Sequence, residues 1–368
     1  MSDSLDKLTI KGFKSIRKLE DFNLTNLNVL IGSNGAGKSN FIDFFRLLRA
    51  VCENTIEEFI RNGGGISDFL HNGRKVTKEL EFEMIFGIRG YRFSVIPTVN
   101  EQCIISGEAR FYEKGSTGWW ELGDSPDGNS LLVKEAKGNT RDSSYSKPVY
   151  DAIMSWKIYH FHDTSSTAGM RHAEIIQDSK FLRPDGSNIA PYLSGLKKQK
   201  NDVYNEIIDA IRLVIPFFED FELEPESFGA KKKVNLTWRQ KGSDYPMQPY
   251  HFSDGSIRFI CLCTALLQPE PPATIIIDEP ELGLHPSAIS ILAELIQSAS
   301  KRTQLIVATQ SPTLIDNFSV EDIVVVNRKN GQSSFSRLAE KDFNIWLENY
   351  SVGELWTKNV ISGGVTHE

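Results

Sequence analysis

The feature that most constrains this chain is Gly32-Ser33-Asn34-Gly35-Ala36-Gly37-Lys38-Ser39. It sits between an apolar run, Leu27 to Ile31, and a segment in which Phe41, Phe44, Phe45 and Leu48 recur at helical spacing. Strand, glycine loop and amphipathic helix in that order fit the pattern GxxxxGK[ST]. The glycines let the backbone curl until its N–H groups and the N-terminus of the next helix face one small volume, which suits phosphate oxygens. Lys38 would neutralise the β- and γ-phosphates and Ser39 would hold Mg²⁺. Gly32 through Asn40 are therefore expected to hold a nucleotide by its phosphates.

A cradle of this kind needs a second element to hold the metal and aim water. Thr274 to Ile277 reads as a buried parallel strand ending in Asp278-Glu279-Pro280. Gln304 to Thr309 reads as another, with Ile289, Leu292, Ala293 and Ile296 marking a helix between them. Asp278 is expected to position Mg²⁺, and Glu279 to accept a proton from, or polarise, the attacking water.

The rest of the chain changes character several times. Leu8 to Ile31 reads as strands and turns, and Leu80 to Tyr112 alternates with period two, as antiparallel strands do. Gly115 to Lys147 is rich in glycine and serine and reads as a long hairpin tip or mobile loop. Asp202 to Ile215 is helical and stops at Pro216, after which Val234, Leu236 and Trp238 alternate as one strand. No internal repeat or sustained heptad pattern is present.

Together these residues resemble the P-loop ATPases of the ABC type, specifically the RecF, SMC and OLD-like branch, and within it the stand-alone bacterial ATPases of the AAA-domain, OLD-like group. Further segments fit: Phe252-Ser253-Asp254-Gly255-Ser256 resembles the signature loop, and Glu281 to Pro286 the loop that crosses the dimer interface. Gly64-Gly65 through Leu70-His71 and Tyr159 to Thr164 match the narrower group.

The resemblance implies an α/β P-loop NTPase head of the ABC type, with an antiparallel sheet in an N-terminal lobe (1–180), a helical insertion (181–240) and a C-terminal lobe (241–368). It implies hydrolysis of ATP with Mg²⁺ between two copies, or a higher homo-oligomer. Lys38, Glu279 and Gln310 would then serve catalysis, with Ser253, Asp254, Gly255 and Ser256 gripping the nucleotide of the other copy. Lys14, in Gly12-Phe13-Lys14-Ser15, is expected to approach the nucleotide, although a plain surface strand with a solvated lysine accounts for it equally well.

Two departures stand out. Gln310 takes the place of a switch histidine and cannot titrate near neutral pH, so a sensing role survives while a proton-transfer role does not, and slow turnover follows. No glutamine ends the strand Trp156 to Phe161, where the family carries one, so His162 or Asp163 is expected to substitute. His160 and His162 share a strand face but lack a third ligand for a metal site of their own.

A role in DNA repair or anti-phage defence, with a separate effector protein such as a nuclease, is what the resemblance implies. A catalytically slow ATP-binding scaffold is the alternative, and a transport subunit fits less well given the insertions and the Asp278 to Pro286 pattern. The absence of heptads between Ser39 and Ser253 argues against a long coiled coil, and the stretch after Gln310 lacks the acidic clusters of a TOPRIM nuclease.

The net charge of −7 excludes nonspecific nucleic-acid or anionic-membrane binding by the whole surface. Lys231-Lys232-Lys233 reads as a solvated turn, with DNA or RNA phosphate contact as the alternative. No apolar run reaches the ~18 residues of a membrane span, and the acidic Met1 to Asp6 is unlike a secretory signal, so a cytoplasmic protein without a membrane partner is expected. Cys52, Cys103, Cys261 and Cys263 lack zinc spacing and are expected to be buried as small apolar residues.

Overall fold

The computed structural model describes residues 4–113, 118–123, 125, 128–140, 142–229, 231–343, 346 and 348–361. An antiparallel pair, β1 (Lys7–Phe13) and β2 (Ile16–Asn23), leads to β3 (Leu27–Ile31), the glycine loop and α1 (Lys38–Glu53). Helices α2 (Ile56–Asn62) and α3 (Ile66–Phe69) precede β4 (Leu80–Phe86), β5 (Arg89–Pro97), β6 (Cys103–Tyr112) and β7 (Gly118–Gly123). Next come α4 (Leu131–Lys137), α5 (Ser143–Ser155), β8 (Lys157–Tyr159) and β9 (Glu174–Ile175). After α6 (Ile189–Gln199) and α7 (Asn201–Val214) run the small strands β10 (Phe218–Glu222), β11 (Glu226–Phe228), β12 (Lys231–Val234), β13 (Thr237–Gln240) and β14 (Pro246–Met247). The last third comprises α8 (Asp254–Leu267), β15 (Thr274–Asp278), α9 (Pro286–Ser300), β16 (Gln304–Thr309), α10 (Pro312–Ile315), β17 (Ile323–Lys329), β18 (Gln332–Arg337) and α11 (Val352–Thr357).

Two six-stranded sheets organise these elements. One is antiparallel throughout, in the order β2-β1-β4-β5-β6-β7. The other runs β18-β17-β3-β16-β15-β8 and is parallel except for β18. Two three-stranded sheets, β10-β13-β14 and β11-β12-β9, complete the set. The two-residue period of the parallel strands sorts their side chains into two cores. Val29, Ile31, Ile275, Ile277, Leu305 and Val307 face the core shared with α6 to α9, whereas Leu30, Ile276, Ile306 and Ala308 face the one shared with α1 and the antiparallel sheet. α1 is wedged between the sheets, its Phe41, Phe44 and Phe45 buried and Phe44 meeting Phe82 of β4 at a ring separation of 5.3 Å.

The mixed α/β class and the antiparallel strands expected over Leu80 to Tyr112 are present. Three readings need correction. The described part of Gly115 to Lys147 is not a loop tip: it holds β7, α4 and the start of α5, while 114–117, 124, 126, 127 and 141 lie outside the described residues. The run Lys231 to Lys233 lies on β12 rather than in a turn, with Lys231 and Lys232 exposed and Lys233 half-buried. Val234, Leu236 and Trp238 do not share one strand, because β12 ends at Val234 and the Asn235 side chain accepts the Leu236 N–H (3.0 Å) before β13 begins. All four cysteines are free and buried, as expected.

α4 is held from a distance, which is why its local composition conceals it. Glu108 of β6, 2% exposed, accepts from Tyr91 Oη (2.6 Å), Ser130 Oγ (2.7 Å) and the Leu131 N–H at the helix start (2.7 Å). Glu108→Ala strands these donors and is expected to lower stability by roughly 3 kcal/mol in urea unfolding, whereas Glu108→Gln should cost less than half as much.

Candidate functional site

The loop after β3 adopts its shape because three glycines meet three different demands. Gly35 (φ +75°) and Gly37 (φ +119°) occupy left-handed conformations, and Gly32 lies so close to β17 that a Cβ would come within 2.2 Å of the Val326 carbonyl oxygen. Gly37 caps α1 without any side-chain bond to the first helical amides, and α1 carries no acidic residue in its first turn. The first turn thus keeps its positive end for an anion. Lys38, 6% exposed, donates from Nζ to the Gly32 (2.6 Å) and Ser33 (3.3 Å) carbonyls. Burial lowers its pKa below the ordinary lysine range, opposed by Glu279, Asp278 and Glu281. Ser39 is exposed on the first turn of α1, and Asn40 turns inward to donate to Ser15 Oγ (2.6 Å).

Asp278 and Glu279 come to this loop because β15 and β3 flank β16 in parallel register. Burial raises the Asp278 carboxyl, and Glu279 raises it further, while His162, Lys38 and Arg46 pull the other way. Two adjacent carboxylates beside a buried lysine are an oxygen-donor arrangement that suits Mg²⁺, an ion that takes one or two carboxylates and leaves its other positions to phosphate and water. No group of three or more metal-ligating side chains occurs among the described residues.

Glu279 has a left-handed backbone (φ +44°), pinned by its N–H to the Ala308 carbonyl (2.8 Å). From the end of β16, Gln310 Nε2 donates to Glu279 Oε1 (2.6 Å) and to Asn34 Oδ1 of the loop (2.8 Å). His162 lies just beyond β8 and donates from Nε2 to the Asp278 carbonyl (2.9 Å), while its ring is 4.3 Å from that of His160. Asp163 instead accepts from Ser165 and stands exposed. Lys14 is paired with Asp43 of α1 (2.6 Å) and lies over the Phe69 ring (4.8 Å).

The segment Ser253 to Ser256 stands apart. Ser253 Oγ caps α8 by accepting the Ser256 N–H (3.1 Å), Asp254 pairs with Arg171 (2.9 Å), and Gly255 abuts the Gly283 carbonyl, 2.3 Å from where a Cβ would fall. Among the described residues no hydrogen bond joins this segment to Gly32–Asn40, and Ser253 and Asp254 are exposed. Arg258 ties the same helix to the site by donating to the carbonyls of Phe161 (2.9 Å), His162 (3.1 Å) and Leu282.

Sequence reasoning missed the hairpin β17–β18. Arg328 donates to the Gly35 carbonyl (3.2 Å), Ser333 Oγ donates to the Ala36 carbonyl, and a Cβ on Gly37 would come within 2.1 Å of Ser333 Oγ. These contacts span about 300 residues of chain and leave no local signal. It also missed Glu281, whose Oε1 accepts from Thr309 Oγ1 (2.6 Å) and from the Gln310 N–H (3.1 Å). Its only sequence cue was its place in the Asp278 to Pro286 run.

Residues 27–316 match the family described as "AAA domain, putative AbiEii toxin, Type IV TA system". The chain belongs to this AAA-domain family. Its fold is that of solved SMC heads. One such structure is an Smc head bound to the C-winged helix domain of ScpA, which is 17% identical with a TM-score of 0.56 over 92% of this chain and 99% of that one. Another is the Smc head domain from Pyrococcus furiosus, with an extended coiled coil and bound to the C-terminal domain of ScpA, at 16% identity and a TM-score of 0.54 over 94% and 98%. The comparison with curated proteins finds no match. No helix among the described residues is long and apolar enough to cross a membrane.

The geometry separates two glycines of the loop after β3. Gly37→Ala meets both a forbidden φ and Ser333, and is expected to weaken binding of a nucleoside triphosphate by on the order of a hundredfold. Gly35→Ala has open space around its Cβ and should lose only about tenfold, from backbone strain alone. Equilibrium binding of a fluorescent ATP analogue measures both.

Proposed function

We propose that this head binds ATP with Mg²⁺ and hydrolyses it when two copies close around two nucleotides. The observation that carries the reading is the Gln310 amide, which bridges Glu279 and Asn34 and so joins cradle, sensor and carboxylate in one network. In this reading Gly32 to Asn40 hold the phosphates, Lys38 neutralises them, and Ser39 and Asp278 hold the metal. Mg²⁺, when bound, screens the phosphate charge. Glu279 is the group that accepts the proton of the attacking water, because Gln310 has no basic nitrogen to take it. Gln310 senses the γ-phosphate, His162 stands in for the missing glutamine, and Lys14 would exchange its Asp43 partner for the nucleotide. The segment Ser253 to Ser256, exposed at Ser253 and Asp254 and without a hydrogen bond to the cradle of its own chain among the described residues, supports a site completed by the signature loop of a second copy.

ATP would then switch the head between closed and open dimers, or a higher homo-oligomer, and regulate a separate effector protein, a nuclease among the candidates. The toxin–antitoxin description of the family supports a defence role over DNA repair, and the ScpA-bound Smc heads support a protein partner. Exposed Lys231 and Lys232 offer nucleic-acid phosphates a contact. A cytoplasmic location accords with this reading. A slow ATP-binding scaffold is favoured by one observation, the engagement of Glu279 Oε1 by an amide that cannot itself titrate.

The test is solution mass with and without ATP–Mg²⁺, alongside phosphate release, for the wild type and Glu279→Gln. The expected outcome is an ATP-dependent dimer, with the variant trapped in it and its turnover reduced at least a hundredfold. An unchanged mass and no phosphate release in the wild type would favour the scaffold.

A further inference from the structure

Glu281 lies half-buried on the turn after β15, yet the proposed chemistry gives it no task. Its Oε1 accepts two hydrogen bonds, from Thr309 Oγ1–H (2.6 Å) and from the Gln310 backbone N–H (3.1 Å). Thr309 Oγ1 in turn accepts the Ser311 N–H (3.0 Å), so one carboxylate stitches the turn to the end of β16 and the start of α10. Its Oε2 is buried without a hydrogen-bond partner, and burial raises the carboxyl's pKa. Keeping a carboxylate there costs desolvation that an apolar side chain of similar size would avoid. Packing alone therefore does not account for it.

We propose that Glu281 is a positioning residue for the γ-phosphate sensor, fixing the Gln310 backbone so that its amide meets Asn34 and Glu279 together. The proposal rests on the ATP-site reading and deepens it. The Gln310 amide must satisfy acceptors on two different strands' ends, at 2.6 and 2.8 Å, and hydrogen bonds weaken steeply with misalignment. β16 supplies ladder bonds only as far as Thr309. Beyond that point the Gln310 N–H has the Glu281 carboxylate as its partner, and charge-assisted bonds of this kind are stronger than neutral ones. The turn is itself held on its far side, by Gly283 against Gly255 and by the Leu282 carbonyl on Arg258, so Glu281 is presented from a fixed support.

The experiment compares binding of AMP-PNP and ADP, each with Mg²⁺, to the full chain and to Glu281→Ala, Glu281→Gln, Gln310→Ala and the Glu281→Ala/Gln310→Ala double variant. ADP affinity reports the cradle, and the AMP-PNP/ADP preference reports the sensor. Glu281→Ala is expected to lower the preference about tenfold with ADP affinity unchanged, and the double variant to be no worse than Gln310→Ala alone. Glu281→Gln keeps an acceptor oxygen and should restore most of the preference. Thr309→Val removes one donor with little change of shape and should shift it about threefold in the same direction, which keeps the test open if Glu281→Ala does not fold. Multiplying losses in the double variant, a parallel fall in ADP affinity, or an unchanged preference in both Glu281→Ala and Thr309→Val would overturn the positioning role. A wild type that binds neither nucleotide would overturn the ATP-site reading itself.

Discussion

β16 lies between β3 and β15, hydrogen-bonded in parallel to both, with Ala308 opposite Leu30 on one side and Asp278 on the other. Because the three strands point the same way, their C-terminal ends deliver the glycine loop, Gln310 and the Asp278–Glu279 pair to one edge, where open α/β sheets hold their ligands. Neighbouring strands are about 4.8 Å apart, so the ends of β3 and β15 are separated by roughly 10 Å. That is too far for a direct hydrogen bond between loop and acid. It is within reach of one side chain standing on the strand between them, and Gln310 stands there.

The edge can be this exact only if the loop does not drift, and α1 provides the anchorage. Its aromatic residues are clamped between the parallel and antiparallel sheets, while β17 and β18 press on the loop from the other side through Val326, Arg328 and Ser333. The glycines of the loop are thus conformational requirements at Gly35, close-approach requirements at Gly32, and both at Gly37. Lys38 illustrates the same economy of space. Its ammonium is largely removed from water, a penalty opposed by two loop carbonyls and by the nearby carboxylates.

What was legible in the sequence was local. The glycine loop, the apolar strand that ends in Asp278-Glu279 and the phenylalanine stripe of α1 each declare themselves within a dozen residues. What was not legible depends on partners far away. α4 is capped by Glu108, 22 residues upstream of Ser130, so a window rich in serine and glycine conceals a helix. Lys231 to Lys233 form a strand because Glu226 to Phe228 and Ile175 pair with them, a contribution that a charge run cannot advertise. Ser333 against Gly37 and Glu281 against Gln310 are likewise contacts made by topology alone.

At two positions the resemblance to ABC-type ATPases implies a different side chain, and the surroundings of each suit the residue that is present. Between the strand ends stands an amide with two acceptors to satisfy, Glu279 Oε1 and Asn34 Oδ1, and a neutral imidazole would offer only one N–H for the two. At the end of β8, His162 needs a single donor for the Asp278 carbonyl, which an imidazole supplies, and its other face is occupied by His160. Arg258 fixes the backbone at His162 and the carbonyl of Leu282 with one guanidinium, so the exposed start of α8 is mechanically joined to both sides of the acidic pair. A rigid fork with five donors can hold three carbonyls at once where a lysine could not hold their relative orientation, so the helix that follows the signature-like segment is bonded to the backbone on both sides of the acidic pair.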